Sequence, residues 1–82
     1  MRLPRDVSGR QLVKRLGVFG YSVTRQKGSH IRLTTALQGE HHITIPDHDS
    51  LRVGTLLSIL LAVAVHMRTT LDELVIELFA AE

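Results

Sequence analysis

Between residues 21 and 45, apolar and polar side chains alternate almost one by one, and only two short turns break the pattern, Lys27-Gly28-Ser29 and Leu37-Gln38-Gly39-Glu40. A two-residue period sends successive side chains to opposite faces of an extended chain. The segment is therefore committed to three strands, residues 21–26, 30–35 and 42–45, joined by tight hairpins. Pro46 ends the last one, because it has no amide to give to a ladder. One face collects Val23, Ile31, Leu33, Ile43 and Ile45; the other carries His30, Arg32, Thr34, His42 and Thr44.

The flanks read as helices. Ser8 with Gln11 three positions on forms a capping-box pattern. Leu12, Val13, Leu16 and Phe19 then recur at helical spacing, with Arg10, Lys14 and Arg15 on the other side. This predicts an amphipathic helix of about three turns, ended by Gly17 or Gly20. After a polar loop over 47–53, Gly54-Thr55 opens a second helix that runs to about Met67. Thr70-Leu71-Asp72-Glu73 is another capping box, so a third helix is expected over 71–81 with Leu71, Leu74, Val75 and Leu78 in one stripe. The order is α-β-β-β-α-α in one domain, 1–82. Helices can cover one side of such a sheet and leave the other open. The expected fold class is α+β, a three-stranded antiparallel sheet with helices on one face, of the double-stranded-RNA-binding-domain type.

The second helix is unusual. Residues 56–65 are apolar all round except Ser58, which a surface helix is not. Its outer side must be covered by the last helix or by another chain, and a homo-oligomer through this helix is one outcome. At ten residues the run is too short to span a membrane. The N-terminus lacks the apolar core of a signal peptide, and a cytoplasmic location is the default expectation.

The net charge of +2 is mild, but its distribution is not. Arg2, Arg5, Arg10, Lys14, Arg15, Arg25, Lys27 and Arg32 all precede residue 33, against a single acid, Asp6. Such asymmetry fits a polyanionic partner such as nucleic acid. With no cysteine there is neither a disulfide nor a thiolate metal site, and no metal or cofactor is expected.

Hairpin geometry gathers the chemistry at one corner. A turn centred near Gly28 places His30 opposite Arg25 or Gln26, and a turn centred near Gln38 places it opposite Pro46 or Asp47. Arg25, Lys27 and His48 become its neighbours. This set suits metal-independent RNA cleavage: a base takes the 2′-hydroxyl proton, that oxygen attacks the adjacent phosphate, and an acid protonates the leaving 5′-oxygen. Histidine, with an ordinary pKa near 6.5, serves in either role. Arg25 and Lys27 can hold the phosphate, and Gly28 lets the backbone approach it. His42 lies more than about 10 Å from His30 at the strand rise. His41 and His42, adjacent on a strand, point to opposite faces and make a poor metal pair. His66 near a helix C-terminus reads as a dipole partner. Gly54-Thr55 reads as a plain helix start, with phosphate binding through free amides as the other option.

The chain resembles the HicA toxin family, the mRNA interferases of toxin–antitoxin pairs. The resemblance runs over about 8–65 and is carried by four ordered motifs: Ser8-Gly9; Arg25-Gln26-Lys27-Gly28-Ser29-His30; Ile43-Thr44-Ile45-Pro46-Asp47-His48; and Leu51-Arg52-Val53-Gly54-Thr55-Leu56 with Ile59-Leu60. It implies a double-stranded-RNA-binding-like fold, ribosome-independent mRNA cleavage and a HicB-type antitoxin over the active face. It also implies that His30 is the catalytic histidine, with Lys27, Gly28 and Ser29 matching its neighbours. The chain departs from the family in its more apolar second helix and in the helix that follows it.

The leading expectation is thus an endoribonuclease toxin with His30 catalytic, and Arg25, Lys27, Gly28, Ser29, Arg32 and His48 on RNA or its phosphates. Two alternatives stand beside it: a non-catalytic RNA-binding module of the same fold, and a protein-interaction domain that uses the apolar second helix.

Overall fold

The computed structural model describes residues 3–80; Arg2 of the basic half and Ala81, at the expected end of the third helix, lie outside the described residues. The elements are α1 (Gly9–Leu16), a 3₁₀ turn (Gly17–Phe19), β1 (Ser22–Lys27), β2 (His30–Thr35), β3 (His41–Pro46), α2 (Val53–Met67) and α3 (Leu71–Phe79). The three strands form one antiparallel sheet in the order β1-β2-β3. The architecture is α+β, in the order of a double-stranded-RNA-binding domain.

Local chemistry sets the helix ends. Ser8 Oγ accepts from Gln11 N–H at 3.0 Å while Gln11 Oε1 accepts from Ser8 N–H at 2.8 Å, the full reciprocal box. The α-helix that follows is eight residues, shorter than the three turns expected. Gly17–Phe19 tightens into the 3₁₀ turn, and Gly20 reverses the chain at φ 80°. A side chain at Gly20 would also press on Thr35 Oγ1. That hydroxyl is buried and fully used, donating to Phe19 O at 2.8 Å and accepting from Leu37 N–H at 3.1 Å. At α3, Thr70 Oγ1 caps Glu73 N–H at 3.1 Å, but the Glu73 carboxylate accepts from Thr69 Oγ1 instead of closing the box.

Ile31, Leu33, Ile43 and Ile45 are buried against Leu12, Leu16, Leu56, Leu60, Val63, Leu74 and Leu78. Val23, expected among them, is 50% exposed. It pairs with Leu33 and so shares the covered side, but every residue of β1 is exposed, whereas Ile31, Leu33, Ile43 and Ile45 on β2 and β3 are buried, so the helical cover is too thin at this edge to bury it. Tyr21, just before β1, is buried in its place.

The apolar α2 is divided. Leu56, Ile59, Leu60, Val63 and Ala64 enter the core, while Leu61 and Val65 stay exposed. The chain turns by 105° into α3, whose Leu74, Val75 and Leu78 are buried, so α3 closes the core and leaves the outer stripe of α2 uncovered. Among the described residues no single helix is long and apolar enough to cross a membrane.

A histidine pair ties the far end together. His66 Nε2–H donates to Leu37 O at 2.9 Å and Gly39 O at 3.0 Å, so besides sitting in the last turn of α2 it pins that helix to the β2–β3 turn. Its ring stacks on His41 at 4.3 Å, and the Tyr21 phenol bonds His41 Nδ1 at 2.7 Å. Burial pushes the Tyr21 phenol up to about 12. Burial, then the charges of His66 and His42, lowers the His41 pKa from its ordinary 6.5.

Two outcomes follow for stability. Leu60 is fully buried and its neighbour Leu61 is 45% exposed. Leu60→Ala should cost about 2–5 kcal/mol and Leu61→Ala about 1 kcal/mol or less, as read by urea denaturation. For His41 the folded pKa lies below the unfolded one, so the unfolded chain takes up the proton first. The stability it contributes is complete above pH 6.5 and is lost as pH falls below that value. The melting temperature should therefore fall between pH 8 and pH 5.5, and His41→Gln should flatten that slope.

Candidate active site

The loop between β1 and β2 is only Gly28-Ser29, so His30 lies directly opposite Lys27, one position tighter than the Arg25 or Gln26 expected. Gly28 takes φ 57°, and no other atom crowds the place of its absent side chain. Its glycine is thus set by the turn, a two-residue hairpin with positive φ at its first position. On the other side His30 faces Pro46, as the second hairpin predicts.

A bulge between Val23 and Arg25 decides which cations join His30. Strict alternation would place Arg25 on the covered side with Val23. The extra residue, Thr24, shifts the phase, so that Arg25 pairs with Arg32 and Lys27 with His30 on the open face. Nothing in the sequence pattern marks this bulge, and the open-face positions of Arg25 and Lys27 both follow from it.

The corner is held by the loop that leaves β3. Asp47 N–H donates to Ser29 O at 2.7 Å, tying that loop to the turn beside His30. The Asp47 carboxylate accepts from Arg10 at 2.8 Å. Gly9 N–H donates to His48 O at 2.9 Å, and a β-carbon at Gly9 would collide with Pro46 O. The N-terminus of α1, the end of β3 and the first turn are thereby fixed to one another. The sequence places Asp47 near His30 and both Asp47 and Gly9 inside the Pro46-Asp47-His48 and Ser8-Gly9 motifs, but their positioning role emerges only from these contacts. His48 is exposed on this loop, next to Asp47.

His30, Arg25, Lys27 and Arg32 are all exposed. Arg10 is paired with Asp47, and Arg15 donates to Leu78 O at 3.0 Å over the Phe79 ring. Among the described residues, the side chains of Arg25, Lys27 and Arg32 have no such partner. Like charges directly across a strand pair repel, so the Arg25–Arg32 pair is unfavourable until an anion lies between or above it. Further along the same face, Thr24, Thr34, His42 and Glu40 form a hydrogen-bonded line. His41 and His42 do face opposite sides, and among the described residues no three His, Asp or Glu gather as a metal-binding group. Gly54 and Thr55 lie inside the first turn of α2, which starts at Val53.

A comparison with curated proteins finds no match, and neither does one with solved structures. A family model described as the HicA toxin of bacterial toxin–antitoxin systems matches residues 9–64. That match spans more than half of the chain and takes in the turn, His30, the Asp47 loop and most of α2. The chain belongs to the HicA toxin family.

Proposed function

We propose that this protein is a metal-independent endoribonuclease that cleaves mRNA through His30. HicA toxins are generally of ribonuclease type, and membership implies an antitoxin partner. The observation that carries the finer reading is the exposed His30 set beside Lys27 and next to an unpaired Arg25–Arg32 pair, on a turn braced by Asp47.

His30 acts as the general base on the 2′-hydroxyl or as the general acid at the leaving 5′-oxygen. The 2′-oxygen bonds to phosphorus as the bond to the 5′-oxygen breaks, leaving a cyclic phosphate and a 5′-hydroxyl. Lys27 lies on the phosphate, while Arg25 and Arg32 take the next part of the strand. The Gly28-Ser29 backbone lets the strand come close, and His48 is a second contact from the Asp47 loop. The antitoxin is of HicB type and covers this face. Self-association, where it occurs, uses the exposed Leu61 and Val65 side of α2. The protein works in the cytoplasm, where its mRNA substrate is.

Labelled RNA incubated with the protein in EDTA should be cut to a cyclic-phosphate end. His30→Ala should lose about 10²–10⁴-fold in rate while its melting temperature stays close to wild type. Cutting at wild-type rate by that variant rejects the assignment. RNA that is bound but never cut by folded, antitoxin-free protein favours the RNA-binding module instead. On binding, Arg25→Ala and Arg32→Ala should each weaken affinity and reduce the log–log salt slope by about 0.7. An unchanged slope would remove these residues from the phosphate contacts.

A further inference from the structure

The open face carries a second organised group, four residues along β2 from His30. Glu40 Oε2 lies 2.8 Å from His42 Nε2, His42 Nδ1 lies 2.7 Å from Thr34 Oγ1, and Thr34 Oγ1 lies 2.9 Å from Thr24 Oγ1. The line crosses all three strands, and the Thr24 bulge brings its last hydroxyl into place. With the ring neutral, the directions of the protons are settled by chemistry. A carboxylate only accepts, so His42 Nε2–H donates to Glu40. Nδ1 is then an acceptor and takes the Thr34 proton. Thr34 Oγ1 in turn accepts from Thr24, whose hydroxyl also lies 3.4 Å from Arg32 O, a second acceptor for the same proton.

Both hydroxyl protons are thus committed, and what the row offers outward is oxygen lone pairs beside a carboxylate. It suits a hydrogen-bond donor and disfavours a phosphate. On a nucleic-acid backbone the ribose 2′-hydroxyl is the donor, and it is absent from DNA. The rows of the open face are Lys27–His30, then Arg25–Arg32–Thr44, then the hydroxyl row with Thr34 and His42. Successive rows are about 6.6 Å apart at the strand rise, roughly one nucleotide step of an extended strand.

We propose that Thr24, Thr34 and His42, with Glu40 fixing the imidazole, form a ribose-reading row that accepts a hydrogen bond from the 2′-hydroxyl of the second nucleotide from the cleaved bond. The inference rests on the reading of His30 as the cleavage centre. It makes Thr34 a binding residue and His42 and Glu40 positioning residues, at a distance that excludes them from the bond-breaking step.

The test is a scan of single 2′-deoxy substitutions through an RNA whose cleavage point has been mapped. For wild type, a deoxy nucleotide at the cut should block cleavage. One placed two nucleotides away, on one side only, should raise KM by about 3–10-fold with kcat unchanged, the worth of one hydrogen bond. Thr34→Val should show a raised KM on all-RNA substrate and no further loss from that deoxy substitution; Thr34→Ser, which keeps the hydroxyl, should restore the sensitivity. A row that merely braces the sheet would leave the deoxy penalty equal in wild type and Thr34→Val, and that result overturns the inference. So does the absence of a deoxy penalty at every flanking position. If the all-RNA strand is never cut, the cleavage reading itself fails and the inference falls with it.

Discussion

The hydrogen bond from Asp47 N–H to Ser29 O, 2.7 Å long, closes the corner on which the rest of the molecule converges. It joins the end of one hairpin to the turn of the other. The same short loop receives α1, through Arg10 on the Asp47 carboxylate and Gly9 on His48 O. A two-residue turn at the end of an exposed edge strand is by itself poorly constrained. Here its carbonyl is fixed to a loop that is anchored to a capped helix. His30 is the first residue after that turn, so its backbone inherits the constraint while its side chain stays in solvent. The corner thus combines a held backbone with a free side chain.

Much of this was legible in the sequence, for definite reasons. The period of two along β2 and β3 places Ile31, Leu33, Ile43 and Ile45 inside and His30, Arg32, Thr34, His42 and Thr44 outside, and a central strand buried on one face has little freedom to slip. The capping box at Ser8 locates the start of α1 to the residue. The errors gather on β1. Its pairing depends on a loop one residue tighter than expected and on the Thr24 bulge, and neither leaves a compositional trace. Val23 lies on the expected side yet stays exposed, for a related reason. Alternation reports which side a residue is on, whereas burial depends on how fully the helices cover it, and at this edge they leave the strand exposed.

The histidines show how context outweighs type. Five are present, and the same imidazole serves different ends according to the element behind it. His66 and His41 stack, bind carbonyls and a phenol, and join α2 to the sheet. His42, adjacent in sequence to His41, is turned to the opposite side and carries the Glu40–Thr34 line. His30 has a lysine across from it and no internal partner among the described residues. Sequence could assign the faces of these rings, but the partners of His41 and His66 come from separate elements whose packing no local pattern encodes.

The division of the sheet into a buried face and an open one also explains how the fold tolerates its own charge. The core is closed by leucines and isoleucines on one side only, so stability is drawn from a face that holds no cation. The repulsion between Arg25 and Arg32 is then an exposed, solvent-screened term. Such a term is small enough to leave standing in the free protein, and a bound anion would relieve it. Were the bulge absent, Arg25 and Lys27 would be turned with Val23 to the other side of the sheet, away from His30 and Arg32. One inserted residue therefore turns both Arg25 and Lys27 to the open face, in line with His30 and Arg32.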